Sequence, residues 1–220
     1  MKEHQTPSRL GPVNLWLLSS FMAGFFILSP AAGTTSRTPQ AEQAQPCSAE
    51  TQAYLRKLEN NGIAEIDGWI QTLQTQYGID LDDVFRLRRG EHFDVYGESL
   101  WNKLGPEQRA AEVALCAQDR LKRGFEYLCV TSPSNRFAMR TFPILFNTVT
   151  VNEYNFWVAS PSRQMGRVIH EATHKCGTND VTEFRAGPPR NVGIVAWYSI
   201  ADTYEYWAAE RFCIPNRDCP

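Results

Sequence analysis

The part of the chain that can build a core begins near residue 47. In its first half, apolar residues recur at helical spacing. Ser48 suits the N-cap of a helix through "AETQAYLRKLENN", and Gly62 suits its end. From Ile63 to Tyr77 the apolar side chains return every three or four residues, up to Gly78. The pattern predicts a second amphipathic helix over about Ile63–Tyr77.

The pattern changes in the middle of the chain and then returns to helix. A third helix is predicted from Pro106, a favoured first-turn residue, to Gly124. "FPILFNTVTVN" (Phe142–Asn152) is rich in aromatic and β-branched residues and predicts one or two strands. Ser160 and Pro161 then begin another helix of about four turns, with Gly177 as its left-handed cap. This order predicts an α+β fold, mostly helical with a small sheet.

The N-terminal region predicts export. Residues 1–33 combine a basic leader, the apolar run "LWLLSSFMAGFFIL" and small residues, which is the order of a cleaved signal peptide. The run is shorter than the roughly 20 residues of a membrane-spanning helix. Residues 34–46 read as a flexible linker and 47–220 as a single domain. We expect a secreted protein; a periplasmic one, or one anchored by an uncleaved N-terminal segment, is the alternative.

Cysteine usage and charge narrow the class of protein. All six cysteines lie at or after Cys47, and an even number in an exported chain favours three disulfides, with fifteen pairings open. The formal net charge is −2, without a basic stripe, so no nucleic-acid partner is expected. We expect a monomer with no stable membrane association after signal cleavage.

One segment of the last predicted helix carries the candidate chemistry. His170 and His174 are four residues apart, so on a helix both imidazoles face one point. Glu171 lies beside that face, within reach of a water at the same point. H-E-x-x-H is the zinc pattern in which the two histidines bind the metal and the glutamate is the general base. Two surface histidines without metal are the alternative.

A catalytic zinc needs a third protein ligand and one open position. Gly177 allows the chain to reverse, and three residues later Asp180 can return its carboxylate to the ion. Asp180 could instead only form a turn. Glu183, or Glu205 or Glu210 on a later helix, are the other candidates for the third ligand.

These residues resemble a known family. "HEATHKCGTND", followed by "SIADTYEYWAAE", resembles the aspzincin metallopeptidases of the deuterolysin and peptidyl-lysine metalloendopeptidase group. The resemblance implies a zincin-like fold with the sheet next to the active-site helix. It also implies one zinc per chain, held by His170, His174 and Asp180, with Glu171 as base. Asp202 and Glu205 match the two acidic residues that line a lysine pocket in lysine-specific members.

The sequence departs from the family where a tyrosine is expected to stabilise the oxyanion. Residues 181–184 are "VTEF", without a hydroxyl at that place. Tyr198, Tyr204 or Tyr206 could replace it. Loss of an oxyanion donor costs roughly a hundredfold or more in rate.

The short spacing to Asp180 is also similar to that of metzincins, which need a methionine downstream of the zinc motif. All four methionines lie upstream of it, so that assignment is rejected. The sequence therefore predicts a secreted zinc endopeptidase acting on proteins or peptides, with a preference for lysine after the scissile bond. The alternative is a weak or inactive, disulfide-stapled peptidase-like protein that binds cationic peptides.

Overall fold

The computed structural model describes residues 44–141, 147–181 and 187–219. Its first helix, α1, runs without a break from Ala49 to Thr75, and the Oγ of Ser48 accepts a hydrogen bond from the Thr51 N–H at 3.1 Å. The prediction of two helices divided at Gly62 is therefore wrong.

Gly62 lies inside α1 because tertiary packing outweighs its weak helix propensity. A Cβ on Gly62 would lie 3.1 Å from Ile169 Cγ1 and 3.2 Å from Leu121 Cδ1. A glycine in a helix costs about 1 kcal/mol relative to alanine. Here it allows α1 to approach two other helices closely, which a local reading of the sequence does not reveal.

The later helices agree with the predicted positions. The fourth begins at Pro106 and ends one residue before Gly124, and the sixth begins after Ser160, whose Oγ accepts a hydrogen bond from the Arg163 N–H. In the described residues the helices after α1 are α2 (Asp82–Arg88), α3 (Leu100–Lys103), α4 (Pro106–Arg123), α5 (Glu153–Phe156), α6 (Pro161–His174) and α7 (Ala201–Ala209), with a short 3-10 helix at Trp197–Ser199.

The described strands form a mixed four-stranded sheet. They are β1 (Gln45–Pro46), β2 (Glu126–Val130), β3 (Met139–Thr141) and β4 (Thr148–Asn152), in the order β1-β2-β4-β3. β2 and β4 are parallel, and the two outer strands are antiparallel to their neighbours.

The sheet was only partly predicted. The part of the predicted strand region that is described forms β4, while residues 142–146 lie outside the described residues. β2 and β3 were not predicted; the three residues of β3 are too few for a clear alternation. β1 takes up the last two residues of the region assigned to the linker. The α+β class itself is confirmed.

Three disulfides are present, and the structure resolves their pairing. Cys47–Cys129 joins the chain after β1 to β2, Cys116–Cys176 joins α4 to the turn after α6, and Cys213–Cys219 closes a small loop. The two long-range bonds each close a loop large enough to stabilise the fold by about 4 kcal/mol through lost chain entropy. The second of them anchors the turn that leads to Asp180.

α6 lies at the centre of the fold. It packs against α1, α4 and α7, and β3 runs beside it. Val168, Ile169 and Ala172 are completely buried on its inner side. The histidine-bearing end of the helix is therefore held on a rigid support. Among the described residues, no helix has the length and apolarity needed to cross a membrane.

Candidate metal centre

The two histidines of α6 face each other across one helical turn. The Nε2 atoms of His170 and His174 lie 3.1 Å apart, and the rings are nearly perpendicular. Both side chains are largely buried, with 12% and 9% of their surfaces exposed. This is the arrangement that the four-residue spacing predicts for a helix.

Asp180 returns to the histidines after a tight turn. Gly177 has a φ of 88°, in the left-handed region that favours glycine, and it directs the chain back along α6. Asp180 Oδ1 lies 3.0 Å from His170 Nε2 and 3.2 Å from His174 Nε2. The preceding residue, Asn179, forms a short parallel bridge to Ile200, so the turn is fixed to the start of α7.

The hydrogen bonding of His174 shows that this cluster suits a cation. Its Nδ1 lies 3.1 Å from the carbonyl oxygen of Thr178, a contact that needs a proton on Nδ1, so Nε2 is the nitrogen that can present a lone pair to a bound metal. That lone pair faces His170 Nε2 and a carboxylate oxygen of Asp180. Ligand atoms held about 2.0–2.1 Å from one tetrahedral zinc are roughly 3.3 Å apart. The observed separations of 3.0, 3.1 and 3.2 Å fit such an ion.

Without metal, a shared proton stabilises the same cluster. Burial lowers the pKa of His170, but its hydrogen bond with Asp180 and the surrounding carboxylates outweigh that effect and raise the pKa to about 9. The pKa of His174 is raised as well, since Asp180 again outweighs burial. The hydrogen bonds from both rings lower the pKa of Asp180 far below its usual range. A metal ion that binds here would therefore displace a proton.

Glu171 is buried between the cluster and strand β3. Only 4% of the residue is exposed, and its Oε2 has no hydrogen-bond partner. Burial raises the pKa of Glu171, although the two histidines and a hydrogen bond from the backbone of Thr141 oppose the shift. A carboxylate with a raised pKa next to an open cleft is suited to exchange protons with a ligand.

An open cleft leads to these residues. Residues of β3 form one wall and the end of α6 with the Asp180 turn forms the other. The lining residues are Phe137, Met139, Arg140, Thr141, His170, Glu171, His174, Thr178, Asn179 and Asp180. The carboxylate of Asp180 is 67% exposed, so the cluster is accessible from this cleft.

Asp202 and Glu205 lie on the other side of the His170 ring. Glu205 Oε2 is 3.5 Å and Asp202 Oδ1 is 3.9 Å from His170 Nδ1. Both line a second open cavity, together with Arg136 and Arg167. Burial raises the pKa of Asp202. No pattern in the sequence indicates that these two arginines line the cavity.

The structure places none of the three candidate tyrosines beside the described histidine–aspartate cluster. Tyr204 is completely buried, and its hydroxyl donates to the carbonyl oxygen of Tyr198 at 2.7 Å. The hydroxyl of Tyr198 accepts a hydrogen bond from Arg109 at 2.9 Å. Tyr206 lines a smaller cavity on the far side of Asp202 and Glu205. None of the three is among the residues that line the cleft at the cluster, and the replacement of the missing hydroxyl stays a prediction.

Of the alternative third ligands, the two that are described, Glu205 and Glu210, do not join the cluster of His170, His174 and Asp180. Glu205 approaches the opposite ring nitrogen of His170, and Glu210 pairs with Arg163 at 2.9 Å. Glu183 lies outside the described residues. Two contacts at the site had no signal in the sequence: the Thr178 carbonyl that orients His174, and the Thr141 backbone that holds Glu171.

The fold is similar to that of a solved structure, a zinc peptidase from Grifola frondosa. The TM-score is 0.50 at 16% sequence identity, and the match covers 74% of this chain and 96% of that chain. No protein-family model and no curated protein matches the sequence. At this identity the similarity shows the fold. The chain therefore has an α+β zinc-peptidase fold, as predicted, while the closer resemblance to aspzincins stays a prediction.

Proposed function

We propose that this protein is a secreted zinc-dependent endopeptidase of aspzincin type, with one zinc per chain held by His170, His174 and Asp180. The observation that carries the proposal is the convergence of three ligand atoms, at 3.0–3.2 Å from one another, beside the buried carboxylate of Glu171. Three protein ligands leave the fourth position of a tetrahedral ion open, as in catalytic rather than structural zinc sites.

The chemistry is divided between the metal and Glu171. Zinc bound by these three residues supplies Lewis acidity, which makes water nucleophilic near neutral pH and polarises a carbonyl group. Glu171 accepts a proton from the attacking water and passes it to the leaving amine. Its raised pKa supports both steps, because a more basic carboxylate takes the proton from water more readily and then holds it until the leaving amine accepts it.

The edge of the sheet supports a peptide as substrate. β3 is the last described strand in the order β1-β2-β4-β3, and its Met139, Arg140 and Thr141 line the cleft. An extended peptide can bind by adding a strand to such an edge, with main-chain hydrogen bonds to β3. This mode would carry a peptide bond past Glu171 and the three proposed ligands.

The second cavity is the proposed pocket for the side chain after the scissile bond. Asp202 and Glu205 favour a cation there, which supports a preference for lysine. Arg167 and Arg136 line the same cavity and reduce its negative potential. We therefore propose a moderate rather than an absolute lysine preference.

Secretion is proposed from the disulfides and the N-terminal pattern together. Three disulfides stabilise the described fold, and such bonds persist in oxidising compartments. Cleavage of the signal would release a monomer with protein or peptide substrates as its partners.

The test compares Glu171→Gln with the wild type on a lysine-containing protein substrate, with zinc content measured in both. We expect the variant to keep one zinc per chain while kcat falls about 100- to 10,000-fold, the usual contribution of a general base. Glu210→Gln is the matched control, because Glu210 is exposed and pairs only with Arg163 among the described contacts. Hydrolysis by Glu171→Gln at the wild-type rate would disprove the assigned role.

A second candidate function is a weak or inactive peptidase-like protein that binds cationic peptides. The absence of any candidate tyrosine from the described cluster favours it. A purified protein that holds one zinc, binds lysine-rich peptides and cleaves no protein substrate would establish this alternative over the endopeptidase.

A further inference from the structure

The two proposed zinc ligands on α6 differ at their second ring nitrogen. His174 Nδ1 faces the carbonyl oxygen of Thr178 at 3.1 Å. His170 Nδ1 is buried and has no hydrogen-bond partner in the described part of the chain. When Nε2 binds a metal, the neutral ring carries its proton on Nδ1. A buried N–H without an acceptor is unfavourable, so His170 requires one.

Two carboxylates can supply that acceptor, and Glu205 is the nearer. Its Oε2 lies 3.5 Å from His170 Nδ1, whereas Asp202 Oδ1 lies at 3.9 Å. A movement of about 0.6 Å would bring the Glu205 oxygen to an ordinary hydrogen-bond distance. Hydrogen bonds at catalytic sites are often long in ligand-free structures and shorten when the site is filled.

Arg167 holds Glu205 in place through the carboxylate oxygen that does not face His170. Glu205 Oε1 lies 3.7 Å from Arg167 Nε, which leaves Oε2 for His170. Arg167 in turn donates a hydrogen bond to the carbonyl oxygen of Asn155 at 3.1 Å. One carboxylate oxygen thus faces an anchored cation and the other faces the imidazole.

The approach of α7 to α6 depends on Gly166. A Cβ on this residue would lie only 2.8 Å from the backbone oxygen of Glu205 and 3.2 Å from its Cγ. The absence of a side chain at Gly166 therefore permits Glu205 to reach the histidine one turn further along α6.

We propose that Glu205 is a positioning residue, which accepts a hydrogen bond from His170 Nδ1–H and so aims Nε2 at the metal. A carboxylate in this place fixes the tautomer of a ligand histidine and increases its basicity. Asp202 is left as the main carboxylate for a cationic substrate. The inference rests on the proposed function, because it takes His170 as a zinc ligand.

The experiment measures equilibrium zinc affinity by competition with a chromophoric chelator. We expect Glu205→Ala to weaken zinc binding about 10- to 100-fold and Glu205→Gln to weaken it less, since the amide oxygen still accepts. Glu210→Gln is the matched control and should stay within about threefold of wild type, because Glu210 pairs with Arg163 rather than with His170. Asp202→Asn should lose less zinc affinity than Glu205→Ala. Ring-nitrogen NMR of the zinc-loaded wild type should find the His170 proton on Nδ1, in a hydrogen bond that Glu205→Gln weakens.

The outcomes separate this inference from the proposed function. Wild-type zinc affinity in both Glu205 variants, or a larger loss in Asp202→Asn, would overturn the role of Glu205 and leave the zinc site intact. A His170 proton on Nε2 in the zinc-loaded wild type would overturn it without any variant, which covers the case of a variant that does not fold. A wild type that binds no zinc would overturn both proposals.

Discussion

The two sides of the His170 ring are built in different ways. On the Nε2 side, the proposed ligands come from eleven consecutive residues, His170 to Asp180, joined by one helical turn and one glycine bend. On the Nδ1 side, Glu205 and Asp202 arrive from α7 through the packing of two helices. The Nε2 side is thus built by residues close in sequence, and the Nδ1 side by contacts between distant elements. A substitution that disrupts one side should therefore leave the residues of the other side in place.

The largest expected effect is the loss of zinc affinity when a proposed ligand on the Nε2 side of His170 is removed. Asp180→Ala should weaken zinc binding by about a thousandfold or more, because a site with two ligands lacks the carboxylate that completes it. Chelator competition measures the change. Glu183→Ala provides the comparison, since Glu183 is the other acidic residue close in sequence. A greater loss in Glu183→Ala would transfer the third-ligand role to that residue.

The second effect is the pH dependence of zinc binding. Because the pKa of His170 is raised to about 9 without metal, and that of His174 is raised as well, each pH unit below about 9 should reduce zinc affinity at least about tenfold. A drop of at least about 100-fold is expected from pH 8 to pH 6, as measured by calorimetric or chelator titration. A flat profile in this range would contradict the protonated state of the metal-free cluster.

The raised pKa of His170 also makes the stability of the metal-free protein depend on pH. Stability should decrease as the pH rises, whereas zinc affinity should increase. A histidine with a raised folded-state pKa contributes stability that is complete below its unfolded pKa of about 6.5. That contribution is lost as the pH rises through about 9. With chelator present, the free energy of unfolding should therefore decrease between about pH 6.5 and about pH 9. In His170→Asn the free energy of unfolding should depend less steeply on pH.

Gly166→Ala tests the packing of α7 against α6, which builds the Nδ1 side of His170, without changing a proposed zinc ligand. The added methyl group would meet the Glu205 backbone at 2.8 Å, so the two helices must separate. We expect a loss of about 1–3 kcal/mol in the free energy of unfolding, typical of overpacking, measured on the metal-free protein. Zinc affinity should fall about tenfold, in the range expected for Glu205→Ala. An unchanged melting temperature would show that α7 approaches α6 without this glycine.

The smallest expected effect concerns substrate choice. Asp202→Asn should reduce the preference for lysine over a neutral residue after the scissile bond by about tenfold or less, since Arg167 and Arg136 already moderate the charge of the cavity. The kcat/KM ratio on matched lysine and glutamine peptides measures it. An unchanged ratio would remove Asp202 from the pocket.

The sequence was informative wherever structure follows from neighbouring residues. The position of α6, its start at Ser160, the facing histidines and the bend at Gly177 all agree with simple spacing arguments. The break predicted at Gly62 failed for the opposite reason. A glycine ends an isolated helix easily, but here Ile169 and Leu121 from other helices pack over it.

The sequence alone determined a helix that presents two imidazoles to one point and a turn that brings a carboxylate back to them, because helical periodicity and left-handed glycine are local properties. Only the tertiary structure decided which carboxylate approaches the Nδ1 atom of His170, which backbone group contacts Glu171, and how the six cysteines pair. Those contacts depend on close approaches between elements far apart in the chain, such as the one at Gly166, and no local pattern of residues encodes them.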